Sequence, residues 1–123
     1  MKSGINCFPI GQVRVSEDGF QLVVDEAYVP ALTGLDGFGW LQVVWWADQL
    51  DSEETRAILT MDKPYTNGPA TLGIFATRSP VRPNPICVTP VTVLQKEQEK
   101  GVIHIPFIDA EDGTPILDIK PYT

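Results

Sequence analysis

Ten glycines and eleven prolines are spread through the 123 residues. Proline fixes φ and lacks an N–H, and a glycine inside a helix costs about 1 kcal/mol relative to alanine, so long helices are hard to place between them. The exception is residues 51–59, where Asp51 followed by Glu54 reads as a capping box with acids in the first turn. One short helix is expected there. The remainder reads as strands and turns. Residues 10–15 alternate and end at Ser16-Glu17-Asp18-Gly19, a turn signal, and residues 20–27 resume as a strand, which makes a hairpin. Residues 38–47, with Trp40, Val43, Val44, Trp45 and Trp46, fit a strand buried on both faces or lying at an interface. Residues 72–76, 86–94, 101–108 and 116–119 supply further short strands. Pro90 suggests an edge or a bulge in the second of these, and Ile103, Ile105 and Phe107 share one face of the third. Six or seven short strands with one short helix predict an all-β fold, barrel or sandwich-like, forming a single domain over residues 1–123.

Composition excludes several functions. Nine Lys+Arg against sixteen Asp+Glu leave a net charge of −7, which rules out a protein that coats nucleic acid through bulk positive charge but leaves room for a local basic pocket. No apolar run approaches the ~20 residues that span a bilayer, and the first residues lack a signal peptide's apolar stretch, so the expected compartment is the cytoplasm with no membrane partner. Cys7 and Cys87 lie far apart and His104 is the single histidine, so no metal site is expected. Each cysteine reads most simply as a buried thiol. Gly34-Leu35-Asp36-Gly37-Phe38-Gly39 reverses the dinucleotide-binding spacing and precedes a strand, so it is no phosphate cradle. His104 sits mid-strand, where a solvent-facing or hydrogen-bonded strand histidine is the simpler reading than a catalytic one.

Two stretches stand out. Residues 73–86 run from a strand into a loop stiffened by Pro80, Pro83 and Pro85. That loop carries Arg78 and Arg82 with Thr77, Ser79 and Asn84, a concentrated cationic patch in an acidic chain. Guanidinium forks bind carboxylates bidentately, so the patch suits a carboxylate-bearing or anionic ligand; the plainer alternative is a structural loop whose arginines pair with acids. Residues 109–122 place several carboxylates at a turn, which could hold a metal, a ribose or a cationic group or simply be solvated.

Ala76-Thr77-Arg78-Ser79-Pro80-Val81-Arg82-Pro83-Asn84-Pro85-Ile86 and Asp112-Gly113-Thr114-Pro115-Ile116-Leu117-Asp118-Ile119-Lys120-Pro121-Tyr122 resemble the signatures of the TsaA-like (TrmO, YaeB-like) family. Ile10-Gly11-Gln12-Val13, Leu35-Asp36-Gly37-Phe38 and Trp45-Trp46 are similar to its first and central strands. The resemblance covers essentially the whole chain. It implies a small β-barrel that binds S-adenosylmethionine, works as a homodimer and methylates the exocyclic nitrogen of threonylcarbamoyl-adenosine beside the anticodon of tRNA. It implies cofactor binding by Asp48, Gln49, Arg78, Arg82, Asp112, Gly113 and Thr114, and substrate contacts from Arg78, Arg82, Asn84 and Lys120. Asp118 and Lys120 are expected to order the site as a buried pair, and no general base is named. The chain departs from the family pattern at Trp40, Asp48, Cys87 and Thr89 and has a short hairpin where members carry a longer segment with a Pro-Arg-Gln element. At a charge of −7, docking a phosphate backbone would rest on a local Arg/Lys stripe. Two alternatives therefore stand beside tRNA methylation: methylation of a small molecule, and a non-catalytic small-ligand module on the same barrel.

Overall fold

A computed structural model describes residues 3–122. They divide into two compact units, one of residues up to 45 together with residues 88 onward, the other of residues 46–87. The chain is mostly β, as its spacing predicts.

The first unit is built on a seven-stranded sheet in the order β6-β3-β9-β1-β2-β8-β7. The strands are β1 (Gly11–Ser16), β2 (Gly19–Val24), β3 (Trp40–Trp46), β6 (Ile86–Thr92), β7 (Gln95–Glu97), β8 (Val102–Ile105) and β9 (Pro115–Pro121). β4 (Thr60–Asp62) and β5 (Thr71–Gly73) pair as a separate antiparallel hairpin in the second unit. The sheet is open, with β6 and β7 at its edges, and does not close into the expected barrel. Its edges explain this: β7 has three residues, and Pro90 in β6 offers no N–H to a further neighbour.

The β1–β2 hairpin forms in the expected place, with Ser16 opposite Gly19. β1 also pairs with β9, where Ile10 N–H donates to Ile116 O at 2.8 Å. Gly11 is a steric requirement of this packing, since a Cβ there would lie 2.1 Å from the carbonyl oxygen of Val23. Alternation in β1, β2 and β3 sends Val13, Leu22, Val24, Leu41, Val43 and Trp45 inward, where they meet Ile103, Ile105 and Ile116. Each of the large ones stabilises the core by about 1.5–3 kcal/mol. A register shift between Val44 and Trp45 marks a bulge against β9. Trp45 is buried and Trp46 half-buried, as opposite faces of a strand demand.

Several expectations shift. The second strand stops at Val24, because Glu26–Leu32 turn into a 3-10 helix. Phe107 does not join Ile103 and Ile105: β8 ends before Pro106, and Phe107 stays 61% exposed with its ring edge-on to Phe20. The helix α1 is only Glu53–Arg56, and its capping box is Ser52 with Thr55 rather than Asp51 with Glu54. Ser52 wins because its hydroxyl accepts the Thr55 N–H, while the Asp51 carboxylate is engaged by Arg56. Cys87 is buried as expected but Cys7 is exposed, lying in the segment before β1. Among the described residues no cluster of His, Cys, Asp and Glu could hold a metal, and no helix is long and apolar enough to cross a membrane.

Candidate functional site

In the second unit the arginine-proline loop is braced from within. Thr77 is buried; its hydroxyl donates to Ile74 O at 2.8 Å and accepts from Ser79 N–H at 3.2 Å. The Ser79 hydroxyl in turn accepts from Val81 N–H at 3.1 Å. Arg82 is half-buried and donates from Nη1 to the carbonyls of Thr77 (2.9 Å) and Ser79 (3.1 Å). The loop therefore holds its own shape, and Nε and Nη2 carry three further donors of the fork. Arg78 and Asn84 are exposed.

Within the same unit the end of this loop is tied to the residue that follows Trp46, by Ala47 N–H donating to Pro85 O at 2.8 Å. Asp48 and Gln49 follow at once, exposed on the 3-10 turn Asp48–Leu50. Five sequence-predicted residues (Asp48, Gln49, Arg78, Arg82 and Asn84) thus lie on two segments joined at Ala47 and Pro85.

Beside them is a cluster that motif spacing does not reveal. Arg56 Nε donates to Asp51 Oδ1 at 2.7 Å, and Trp46 Nε1 donates to Asp51 Oδ2 at 3.3 Å. The guanidinium carbon stands 5.5 Å from the centre of the Trp46 ring, and Nη1 reaches Asn84 Oδ1 at 3.4 Å. The Arg56 bond, and secondarily its charge and the Trp46 bond, hold the Asp51 carboxyl below its ordinary value against the effect of burial. The same bond raises Arg56.

In the first unit, Asp112, Gly113 and Thr114 turn the chain into β9. Gly113 has φ +83°, a conformation that favours glycine. The turn is knitted to β1: Gly113 N–H donates to Val13 O (2.7 Å), Val13 N–H to Thr114 O (2.9 Å), and Val15 N–H to Asp112 Oδ1 (2.8 Å). One oxygen of Asp112 and the buried Thr114 thus serve the fold itself, leaving the second Asp112 oxygen toward solvent. Lys120 pairs with Asp118 at 2.9 Å, but as an exposed rather than a buried pair (side chains 61% and 51% exposed), because the end of β9 reaches the surface. A further network was hidden in the sequence: Trp45 Nε1 donates to Thr89 Oγ1 at 3.0 Å, and Thr89 donates on to Asp109 Oδ1 at 2.6 Å. It links β3, β6 and the acidic segment before β9. His104 is a hydrogen-bonded strand histidine as expected, with Nε2 2.6 Å from Glu97 Oε2.

Each unit thus carries one motif-bearing turn, rich in guanidinium and amide donors in the second and acidic in the first, on a small domain of the β class. The tRNA-methyltransferase O N-terminal domain model matches residues 5–123, and the chain belongs to that family. A Pyrococcus horikoshii protein named a probable S-adenosyl-L-methionine-binding protein is 40% identical over 114 residues, covering 91% of this chain and 78% of its own. The Escherichia coli tRNA (adenine(37)-N6)-methyltransferase is 32% identical, covering 91% of this chain and 48% of the enzyme. The crystal structure of TrmO from Pseudomonas aeruginosa superposes with a TM-score of 0.72 at 26% identity, over 98% of this chain and 57% of that one. The chain thus spans about half the length of these two.

Proposed function

We propose that this chain binds S-adenosylmethionine and transfers its methyl group to tRNA, with the exocyclic nitrogen of threonylcarbamoyl-adenosine beside the anticodon as acceptor. The observation that carries the reading is the self-braced arginine-proline loop joined through Pro85 and Ala47 to Asp48 and Gln49. That donor set fits the cofactor: guanidinium and amide N–H groups suit its carboxylate, while carboxylate and amide oxygens suit its positive sulfonium and ammonium. The cofactor supplies an activated methyl group that leaves a sulfonium in an in-line displacement.

Arg82 holds its fork in place through the Thr77 and Ser79 carbonyls, so its remaining donors need little ordering when a carboxylate arrives. Arg78 adds positive charge on the same loop, toward the cofactor carboxylate or that of a threonylcarbamoyl group. Asp48 and Gln49 offer oxygens to the cationic part of the cofactor. The Asp112-Gly113-Thr114 turn is a second candidate element, with the free oxygen of Asp112 and the Gly113 backbone as its contacts. Lys120, at the exposed end of β9, is a candidate substrate contact through its ammonium. Methyl transfer needs positioning and the exclusion of water more than acid–base work, and we assign no side chain as base. The relatives named above support the cofactor and the tRNA class; a cytoplasmic homodimer completes the reading.

A second reading has its own support. The net charge of −7 opposes a phosphate backbone, and the archaeal relative's name carries cofactor binding alone. A small-molecule acceptor, or ligand binding without transfer, fits that charge. Calorimetric titration with S-adenosylmethionine and S-adenosylhomocysteine is the first test, and micromolar binding is expected. Transfer of labelled methyl to tRNA that carries threonylcarbamoyl-adenosine, and not to tRNA lacking it, establishes the acceptor. Binding without transfer to either tRNA supports the second reading.

A further inference from the structure

The Asp51–Arg56–Trp46 cluster does more than close a small helix. The Ser52–Thr55 capping box fixes the turn that separates Asp51 from Arg56. Asp51 then grips Arg56 Nε, and the indole of Trp46, itself bonded to the same carboxylate, underlies the guanidinium. A side chain that normally sweeps a wide volume is held at one edge and one face. Its free end points at Asn84 Oδ1.

A guanidinium has five donors and no acceptor. Whatever Asn84 turns toward Arg56 must therefore be its carbonyl oxygen, and a full positive charge orients that amide dipole. The Asn84 backbone is also set, lying between Pro83 and Pro85 with its carbonyl accepting from Ile86 N–H at 2.6 Å. The consequence is a surface amide that presents its two N–H donors, and not its oxygen, away from the mount. Two residues earlier on the same braced loop, Arg82 has donors left as well.

We infer that Arg56 is a positioning residue: it locks the Asn84 amide with its donors outward, so that Asn84 joins Arg82 in binding the carboxylate of the ligand's amino-acid part. This rests on the proposed cofactor reading. A ligand acceptor would be welcomed at this position and a ligand donor turned away.

The test is calorimetric titration of the full chain with S-adenosylmethionine and with 5′-methylthioadenosine, which lacks the carboxylate, alongside thermal unfolding. Asn84→Asp keeps the contact with Arg56, as an ion pair, but removes both donors. It is expected to leave the melting temperature unchanged or raised while weakening S-adenosylmethionine at least about tenfold, with methylthioadenosine unaffected. Arg56→Met frees the amide and is expected to weaken S-adenosylmethionine about three- to tenfold, the cost of ordering one side chain. In an Asn84→Ala background the same change costs nothing further, because Arg56 acts through Asn84. Arg56→Lys restores part of the loss. Equal binding by wild type and Asn84→Asp overturns the inference, as does an Arg56→Met loss of the same size in both backgrounds. A loss shared by methylthioadenosine overturns the carboxylate assignment. A wild-type chain that binds no S-adenosylmethionine overturns the proposed function and this inference together.

Discussion

Arg82→Ala is the most informative single change in the loop, because Arg82 has one job in the structure and a second, separable one in the proposed function. The first is internal. Its Nη1 donates to the carbonyls of Thr77 and Ser79 at 2.9 and 3.1 Å. Hydrogen bonds from a charged group are worth about 1.5–3 kcal/mol each, but these two share one nitrogen on a half-buried side chain, so about 2 kcal/mol for the pair is the reasonable sum. In a domain of this size 1 kcal/mol moves the melting temperature by about 3–6 °C, so Arg82→Ala should lower it by about 6–12 °C. The second job is to meet the ligand carboxylate. Loss of that charge-assisted contact should weaken S-adenosylmethionine by about ten- to a hundredfold. Arg82→Lys separates the two: an ammonium can keep a bond to one loop carbonyl and offer charge to the ligand, but cannot do both with a fork. It should recover part of the affinity and part of the melting temperature. The measurements are thermal unfolding by circular dichroism and calorimetric titration on the same preparations. A lowered melting temperature with unchanged affinity would refute the ligand role and leave Arg82 as a brace. An unchanged melting temperature would refute the brace.

Three further outcomes are expected. Gly11→Ala places a Cβ 2.1 Å from Val23 O inside the hairpin. Backbone must move, so about 3 kcal/mol and a melting temperature lower by about 10 °C follow; a value within about 2 °C of wild type contradicts it. Thr89→Val leaves the buried Trp45 N–H without its acceptor, at a cost of about 1–3 kcal/mol by denaturant unfolding, which Thr89→Ser restores; equal stability of Thr89→Val and wild type would argue against the Trp45–Thr89–Asp109 network. Glu97 is held below its ordinary value of 4.5, chiefly by its hydrogen bond with His104 and then, against the opposing effect of burial, by the charge of Lys100. A depressed carboxyl stabilises the fold above the unfolded value and loses that contribution as pH falls through the lower folded value. Melting temperatures between about pH 7 and 3 should therefore drop less for Glu97→Gln than for wild type, and parallel curves would exclude the contribution.

Local chemistry was legible where one residue type decides the backbone. The Ser16–Gly19 turn, the strand at Trp40–Trp46 and the proline-stiffened loop could be read off because glycine, proline and strict alternation restrict each segment independently of its neighbours. The candidate loop residues were equally visible, since Arg78, Arg82 and Asn84 sit within one short motif. The errors fell where two local options were close in energy. Ser52 and Asp51 could each have capped α1, and only the arrival of Arg56 at the Asp51 carboxylate made Ser52 the cap. Phe107 continued an alternating pattern that Pro106 had already ended.

The sequence by itself determined the all-β class, the place of most strands and the family to which the chain belongs, because spacing and special residues act within a few positions of themselves. Whether the sheet closes, which oxygen of Asp112 serves β1, that Lys120 and Asp118 meet at the surface, and that Arg56 faces Asn84 were decided only by tertiary structure. These depend on partners as much as 97 residues apart, as for Val15 and Asp112. No local preference can select such a partner; the packing of the whole unit does.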